Sequence, residues 1–258
     1  MLGGIVPSPT IDLSSPKQRK ASVSASRHRH ASSSIDAAPP NPVSRAAVSF
    51  EYASLRYQDH CPLGMYITPS AQNPLLWDAV LFIHQGYYTD AILKFRLAFP
   101  PNYPERPPAV QFLTDVFHPL VAQQDGTFNL ASKFRPWRPK EHHVYDVLHW
   151  IKAAFKKHAL DEIKEIDCLN KEAYRLYHDS TASFVALANQ TSMLSQTASA
   201  LFDRDHPSMG NKGPAHGIVF RELKPEQSAA LRAKLGLQEW DDEPVKDSAP
   251  APAPAHDA

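Results

Sequence analysis

Alternation of apolar and polar positions predicts β-strands in the first half of the chain. The apolar residues of two segments recur at every second position, so one face of each predicted strand is continuous and apolar. Asp78 interrupts the opposite face of the first segment, and Lys94 and Arg96 alternate with apolar residues in the second, which is typical of a half-buried strand. The predicted strands span residues 75–83, 91–99 and 110–114. Short connections between them indicate an antiparallel meander.

A helical period replaces this alternation in the second half. Apolar residues fall at i, i+3, i+4 and i+7 from Val144 to Phe155. A second region, from about Leu169 to Leu201, contains no Pro or Gly, and the step at residues 179–181 is expected to divide it into two helices. A first helix is expected from about 47 to 60, and a short strand at 218–220 is expected before a helix at 225–235 that Gly236 closes.

Between the last strand and the helix at Val144 lies a long irregular stretch, residues 115–142. Loops of this length in compact domains are functional or disordered. This one carries Phe117, Phe128, Phe134 and Trp137, too many aromatic residues for a disordered segment. We therefore expect it to pack against the core and to carry the functional site.

Composition and charge divide the chain into four parts. Residues 1–46 are rich in Ser and Pro and carry six basic against two acidic residues, a net of +4. From residue 237 onward six acidic residues face one lysine, a net of −5. We expect a disordered head (1–46), a folded domain (47–205), a C-terminal extension (206–240) and a disordered acidic, Pro/Ala-rich tail (241–258). The formal net charge of +0 gives no sign of a nucleic-acid-binding protein.

Cysteines and histidines suggest no obvious reactive or metal centre. The two cysteines, Cys61 and Cys168, form no disulfide framework, and together with the lack of a secretory segment they favour a reducing, intracellular compartment. No apolar run approaches the roughly 18 residues of a membrane helix, so no direct membrane insertion is expected. Adjacent His142 and His143 lack further ligands nearby in the sequence, so neither a metal nor another cofactor is predicted.

A proline-rich segment carries a specific resemblance. Residues 99–108 have the form F-P-x-x-Y-P-x-x-P-P, with Phe99, Tyr103, Pro107 and Pro108 at the defining positions. This closely resembles the signature of ubiquitin-conjugating enzymes, in which it links the third strand to the fourth. Proline fixes φ and removes a donor, so it suits a crossing at a sheet edge. The resemblance implies an α+β, ubiquitin-conjugating-enzyme (UBC-like) fold: a four-stranded antiparallel meander flanked by helices.

Three further family motifs have counterparts in the irregular stretch. They are His118, Pro119 and Leu120 for H-P-N, residues 126–130 for G-x-I-C-L, and Trp137 with Pro139 for W-x-P. The spacing from Leu120 to Asn129 is one residue longer than usual in the family, as an insertion would produce. The resemblance covers about 47–200, and it implies that His118 and Trp137 are structural residues that hold the loop.

Two departures from the family pattern concern the chemistry. The family's nucleophile is a cysteine thiolate that accepts ubiquitin as a thioester, and its position corresponds to Asn129, whose carboxamide is not a nucleophile. In the family, the H-P-N asparagine stabilises the oxyanion, a contribution of about 2.7–4 kcal/mol per donor, and its position corresponds to Leu120, whose side chain cannot donate. We therefore predict that the chain has no catalytic residue and is a pseudo-ubiquitin-conjugating enzyme.

Among inactive relatives the chain is identified as a member of the fused-toes or AKT-interacting protein family. The Ser-rich head, the degenerate loop, the long helical region and the extension around residues 217–221 all support this. The resemblance implies an adaptor that assembles with a Hook-type coiled-coil protein and a Hook-interacting protein, linking early endosomes to dynein. It also implies a cytoplasmic location, peripheral on endosomes through these partners. Ubiquitin is a further candidate partner.

Apolar residues of the extension are the first candidates for partner binding, because so short an element buries little apolar area by itself. They are Val219, Phe220, Leu231 and Leu235. The second half of the helical region that ends at Leu201 supplies a second set of apolar residues. Phe184 and Leu187 are expected to pack on the domain's own sheet. The remaining candidates for partner binding are Met193, Leu194 and Leu201.

Two other functions stay open. The chain is a cofactor in ubiquitin-chain synthesis if it binds an active conjugating enzyme or ubiquitin. It is an active enzyme only if Cys61 or Cys168 replaces the missing nucleophile.

Overall fold

The computed structural model describes residues 41–202 and 216–236. Its centre is an antiparallel sheet in which each strand pairs with the next along the chain, as the meander predicts. The strands are β1 (Met65–Pro69), β2 (Leu76–Phe82), β3 (Ile92–Ala98), β4 (Ala109–Phe112) and β5 (Thr127–Phe128). The alternating pattern did not identify β1. The two-residue β5 is a fifth strand beyond the four expected, and the irregular stretch supplies it.

The described residues contain seven α-helices. They are α1 (Pro42–Ser54), α2 (Val144–Ala154), α3 (Lys157–Glu162), α4 (Lys171–Asp179), α5 (Thr181–Ser195), α6 (Ala198–Leu201) and α7 (Pro225–Lys234). The predicted helix from Val144 is confirmed, and so is the division of the late helical region, which falls at Ser180. Helix α7 ends before Gly236, whose φ of 68° is the left-handed conformation expected of a closing glycine.

The first helix lies earlier in the chain than the pattern predicted. It begins at Pro42 rather than near residue 47 and ends at Ser54 rather than near residue 60. The side chain of Asn41 accepts a hydrogen bond from Val43 N at 3.0 Å, and proline at the first helical position has a suitable φ, so the start has both signals of a helix N-terminus. The predicted head boundary after residue 46 therefore falls inside a helix. The rest of the head, the linker at 203–215 and the tail lie outside the described residues.

One face of the sheet and the inner faces of the helices form a single buried cluster. It takes alternate residues from the strands, apolar residues of α2 and α5, and aromatic residues of the irregular stretch. Representative members are Trp77, Leu81, Phe95, Leu97, Phe128, Val147, Ile151 and Phe184. The prediction that the aromatic-rich stretch packs against the core is confirmed. None of the helices in the described residues is both long enough and apolar enough to cross a bilayer.

The opposite face of the sheet, called here the outer face, is also buried. Lys94 is only 3% exposed and Arg96 9%, so the prediction of a half-buried strand was wrong. Arg96 Nε pairs with Asp78 Oδ1 at 2.6 Å across the β2–β3 register, and Lys94 Nζ donates to Leu201 O at 2.7 Å. Alternation marks Lys94 and Arg96 as outward-facing, but it carries no information about chain segments that return to cover that face.

The segment 216–220 contributes to this cover. The predicted strand at 218–220 does not form: no residue there has strand structure. Instead Gly217 N donates to Asp78 Oδ2 at 2.8 Å, and the buried His216 ring lies with Nε2 3.8 Å from Asp78 Oδ1. The Phe220 ring lies 5.4 Å from Lys94 Nζ. Contacts to side chains of the outer face therefore hold the segment, because those side chains stand between it and the backbone of the sheet.

Candidate functional site

The proline-rich crossing is built around two buried aromatic rings. Phe99 and Tyr103 are both buried, with ring centroids 5.1 Å apart in an edge-to-face arrangement. Pro107 is half-buried and Pro108 is buried directly before β4. The Tyr103 hydroxyl donates to Glu51 Oε1 at 2.8 Å, and burial together with this carboxylate raises the tyrosine pKa.

Glu51 joins the crossing to two helices. Besides the Tyr103 hydroxyl, its carboxylate accepts a hydrogen bond from Val144 N at 3.0 Å, at the start of α2, and lies 3.2 Å from His143 Nδ1. A carboxylate at a helix N-terminus satisfies a backbone donor and interacts favourably with the helix dipole. Glu51 could not be predicted from the sequence as a site residue, since nothing in its local pattern distinguishes it from any other acidic residue on a helix.

His118 lies fully buried at the start of the irregular stretch. Its Nδ1 accepts a hydrogen bond from Leu120 N at 3.0 Å, so the proton lies on Nε2, which donates to Ala154 O at 3.0 Å. Burial lowers the pKa of His118 from 6.5 to about 4, so the ring is neutral at neutral pH. The ring therefore ties the loop to the end of α2 and is in no position to exchange protons with solvent.

Leu120 and Asn129 are paired through their backbones. Asn129 N donates to Leu120 O at 2.9 Å, and the Leu120 side chain is fully buried. The Leu120 side chain therefore offers no hydrogen-bond donor to the loop surface. This backbone hydrogen bond joins the H-P-L segment to the segment that carries Asn129.

Both ends of the Asn129 carboxamide are occupied by hydrogen bonds within the chain. Its Oδ1 accepts from Ala131 N at 2.9 Å, capping a 3-10 turn at Leu130–Ser132. Its Nδ2 donates to Asp167 O at 2.7 Å, on the segment that precedes α4. Asn129 therefore connects the loop with residues that are distant in sequence.

Pro119 makes a second connection to the same segment. Its carbonyl accepts hydrogen bonds from Leu169 N and Asn170 N, both at 3.0 Å. The structure thus brings Cys168 close to the loop, although the sequence separates it from Asn129 by a whole helical region. Hydrogen bonds therefore join the loop, through Pro119 and Asn129, to the segment before α4.

Both cysteine thiols have raised pKa values. Cys168 is buried, its Sγ lies 3.3 Å from Lys164 O, and burial with the neighbouring Asp167 and Glu165 raises its pKa to about 11. Burial also raises the pKa of Cys61, which lies in the turn before β1. Both thiols are therefore protonated at neutral pH, whereas nucleophilic cysteines have lowered pKa values.

The W-x-P motif closes the stretch against the crossing. Trp137 Nε1 donates to Pro104 O at 2.8 Å, and its ring lies 5.3 Å from that of His142 and 5.8 Å from that of Phe134. Pro139 is half-buried beside it. His142 accepts a hydrogen bond from Arg138 N at 3.0 Å through Nδ1. Among the described residues no three metal-ligating side chains come together.

The four candidate partner-binding residues of the extension differ in exposure. Val219, Leu231 and Leu235 are exposed, while Phe220 is half-buried against the outer face. Helix α7, which carries Leu231, has no buried residue. In the late helix Phe184 is fully buried and Leu187 packs against the core, as predicted, whereas Met193 and Leu194 are exposed and Leu201 is half-buried.

Comparison with known proteins agrees with this geometry. The family described as ubiquitin-conjugating enzyme matches residues 48–192. The Protein crossbronx homolog of Anopheles gambiae is 30% identical over 190 residues, which covers 69% of this chain and 80% of that protein. The AKT-interacting protein of Danio rerio is 34% identical over 173 residues, covering 66% of this chain and 57% of that protein.

Proposed function

Because the chain belongs to the ubiquitin-conjugating-enzyme family, in the branch of the AKT-interacting protein and crossbronx homologues, we propose that it is a non-catalytic, UBC-like adaptor. The observation that carries this proposal is the hydrogen bonding of the Asn129 side chain. At the position proposed for the nucleophile stands a carboxamide whose two ends are both hydrogen-bonded within the chain. It holds the loop in place and has no nucleophilic atom.

The surroundings of Asn129 support the loss of catalysis. Thioester chemistry requires a thiolate and a donor for the developing oxyanion. The counterpart of the donor is Leu120, a buried hydrocarbon side chain, and both cysteines have raised pKa values. Neither component of the reaction is supplied by these residues.

The extension supports the adaptor role. An isolated helix shorter than about 12–15 residues is marginal in water, yet the 10-residue α7 buries none of its residues in the chain. A partner that covers Leu231 and Leu235 would supply the missing apolar contacts. The name of the Danio rerio relative states that it interacts with another protein. In finer detail we propose a Hook-type coiled-coil protein and a Hook-interacting protein as partners, and a role in linking early endosomes to dynein.

An affinity capture from cell extract tests the adaptor proposal. The full chain is compared with a variant carrying Leu231→Asp and Leu235→Asp, two exposed positions whose substitution leaves the core intact. Leu63→Asp, at an 87% exposed position outside both sets of candidate partner-binding residues, is the control. We expect a Hook-type coiled-coil protein with the wild type and the control, and its loss with the α7 variant. Recovery of ubiquitin or an active conjugating enzyme instead would replace the adaptor with a ubiquitin-chain cofactor.

A loading assay tests the lack of catalysis. The chain is incubated with ubiquitin, activating enzyme and ATP, and analysed with and without reductant. We expect no adduct. A reductant-sensitive ubiquitin adduct that Cys61→Ser or Cys168→Ser abolishes would refute the proposal.

A further inference from the structure

Helix α1 exposes an apolar stripe on the side that faces away from the core. Val43 is 65% exposed, Phe50 76% and Tyr57 70%. The stripe consists of Val43, Ala46, Phe50, Ala53 and Tyr57, all of which are exposed. Single exposed apolar side chains are common, but five in one line along a helix and the turn that follows it are a feature that a solvated helix does not need.

The spacing of the stripe is that of a coiled-coil seam. Its members follow one another at intervals of three, four, three and four residues, the a/d pattern with a mean period of 3.5. The last member, Tyr57, lies just beyond α1, where Tyr57 N still bonds to Ser54 O at 3.0 Å and continues the helical turn. A second, independent set of residues, including the buried Ser44 and Val48, faces the core. Helix α1 thus has two apolar faces, and its own domain covers one of them.

Charges beside the stripe restrict what can cover it. Arg45, within α1, and Arg56, two residues beyond its end, are both exposed. Glu51, the acidic residue within α1, is turned inward to the start of α2 and Tyr103. Two α1 helices in contact would bring arginines together, and α7 carries Arg232 and Lys234 beside Leu231 and Leu235. Neither a second copy nor α7 therefore complements this surface.

From this geometry we propose that the α1 stripe is a docking surface for an amphipathic α-helix of a partner protein, with apolar residues at heptad spacing and acidic residues beside them. The inference rests on the proposed adaptor function and adds to it a second surface, distinct from the extension. A helix of this kind packs its apolar side chains between those of the stripe, and its carboxylates lie beside Arg45 and Arg56. Phe50, central and aromatic, is the expected energetic centre of the contact.

A pair of synthetic peptides tests the proposal on the full chain. Both peptides have about four heptads with leucine at the seam positions; one carries glutamate at the flanking positions, the other lysine. Fluorescence anisotropy measures binding and circular dichroism measures the helix formed. We expect the glutamate peptide to bind and the lysine peptide not to bind. Phe50→Ala should weaken binding at least about tenfold, and Arg45→Glu with Arg56→Glu should reverse the preference. Leu63→Ala, an 87% exposed position outside the stripe, is the matched control.

Three outcomes would overturn the inference: no binding of the glutamate peptide, equal binding of both peptides, or equal affinities for Phe50→Ala and Leu63→Ala. Sedimentation of the chain alone tests whether a second copy of the chain occupies the stripe. A dimer that Phe50→Ala dissociates would assign the stripe to that second copy. If the peptide-binding experiments fail while capture through α7 succeeds and no ubiquitin adduct forms, the adaptor function stands without this surface. A ubiquitin adduct on the wild-type chain would remove the adaptor function itself.

Discussion

Replacing Asn129 by alanine tests whether the side chain of this residue stabilises the folded chain. In the structure its carboxamide makes two hydrogen bonds, one to Ala131 N and one to Asp167 O. Alanine removes both, whereas serine keeps a capping hydroxyl but is too short to reach Asp167. Gln123→Ala, at an exposed position of the same loop, is the control. The three variants thus distinguish the cap from the longer connection.

The expected effect follows from the two bonds. Loss of a helix cap costs about 1 kcal/mol, and loss of the donor to a half-buried carbonyl costs about 1 kcal/mol more. We therefore expect Asn129→Ala to lower the free energy of unfolding by about 2 kcal/mol, and Asn129→Ser by about half as much. With a denaturant slope of about 2 kcal/mol/M, the alanine variant should unfold at about 1 M less urea.

Urea unfolding followed by tryptophan fluorescence measures these shifts. A midpoint for Asn129→Ala within about 0.3 M of the wild type would refute the structural role, because one bond alone accounts for more than that. Equal midpoints for the alanine and serine variants would show that the cap contributes nothing. A large shift for Gln123→Ala would show that the loop responds to any substitution.

Three further predictions concern other parts of the molecule. Gly217→Ala should speed amide exchange over residues 216–220, because its Cβ would lie 3.2 Å from Asp78 Oδ2; unchanged exchange would contradict the docking of this segment. The pKa of His118 is lowered to about 4 in the folded chain, so as pH falls the unfolded chain binds the proton before the folded chain does. The free energy of unfolding should therefore fall by up to about 3 kcal/mol as pH drops from 6.5 to about 4. His118→Gln should flatten that loss in urea titrations across this range, and an unchanged pH profile would contradict the assignment. Cys61 and Cys168 should react with iodoacetamide more slowly at neutral pH than the same thiols in urea, as intact mass measures; equal rates would contradict their raised pKa values.

Local pattern was sufficient for much of the fold. Period-2 alternation predicted β2 and β3, the helical period predicted α2, and Ser180 divides the late helical region as its short polar step indicated. The signature at residues 99–108 and the H-P-x and W-x-P motifs were enough to identify the family. These features are set by residues close together in the chain, where steric and hydrogen-bonding preferences act directly.

Local pattern was insufficient for the candidate sites, and the reason is long-range contact. From the sequence alone, Asn129 is only the predicted counterpart of the family's cysteine; its second hydrogen bond, to Asp167, exists because the fold returns 38 residues later to the loop. The apolar line along α1 and the turn after it is visible in the sequence, and so are the two arginines, but only burial shows which face the domain leaves uncovered.

The order of the main strands and helices, the family, and the lack of a cysteine in the loop all follow from the amino-acid sequence. The burial of the charged face of the sheet does not, because it depends on long-range contacts. Lys94 and Asp78 are patterned as solvent-facing residues, yet segments about a hundred or more residues away bury them by supplying Leu201 O and Gly217 N as partners. Alternation specifies the direction in which a side chain points, whereas its burial depends on whether a distant segment satisfies its hydrogen bonds.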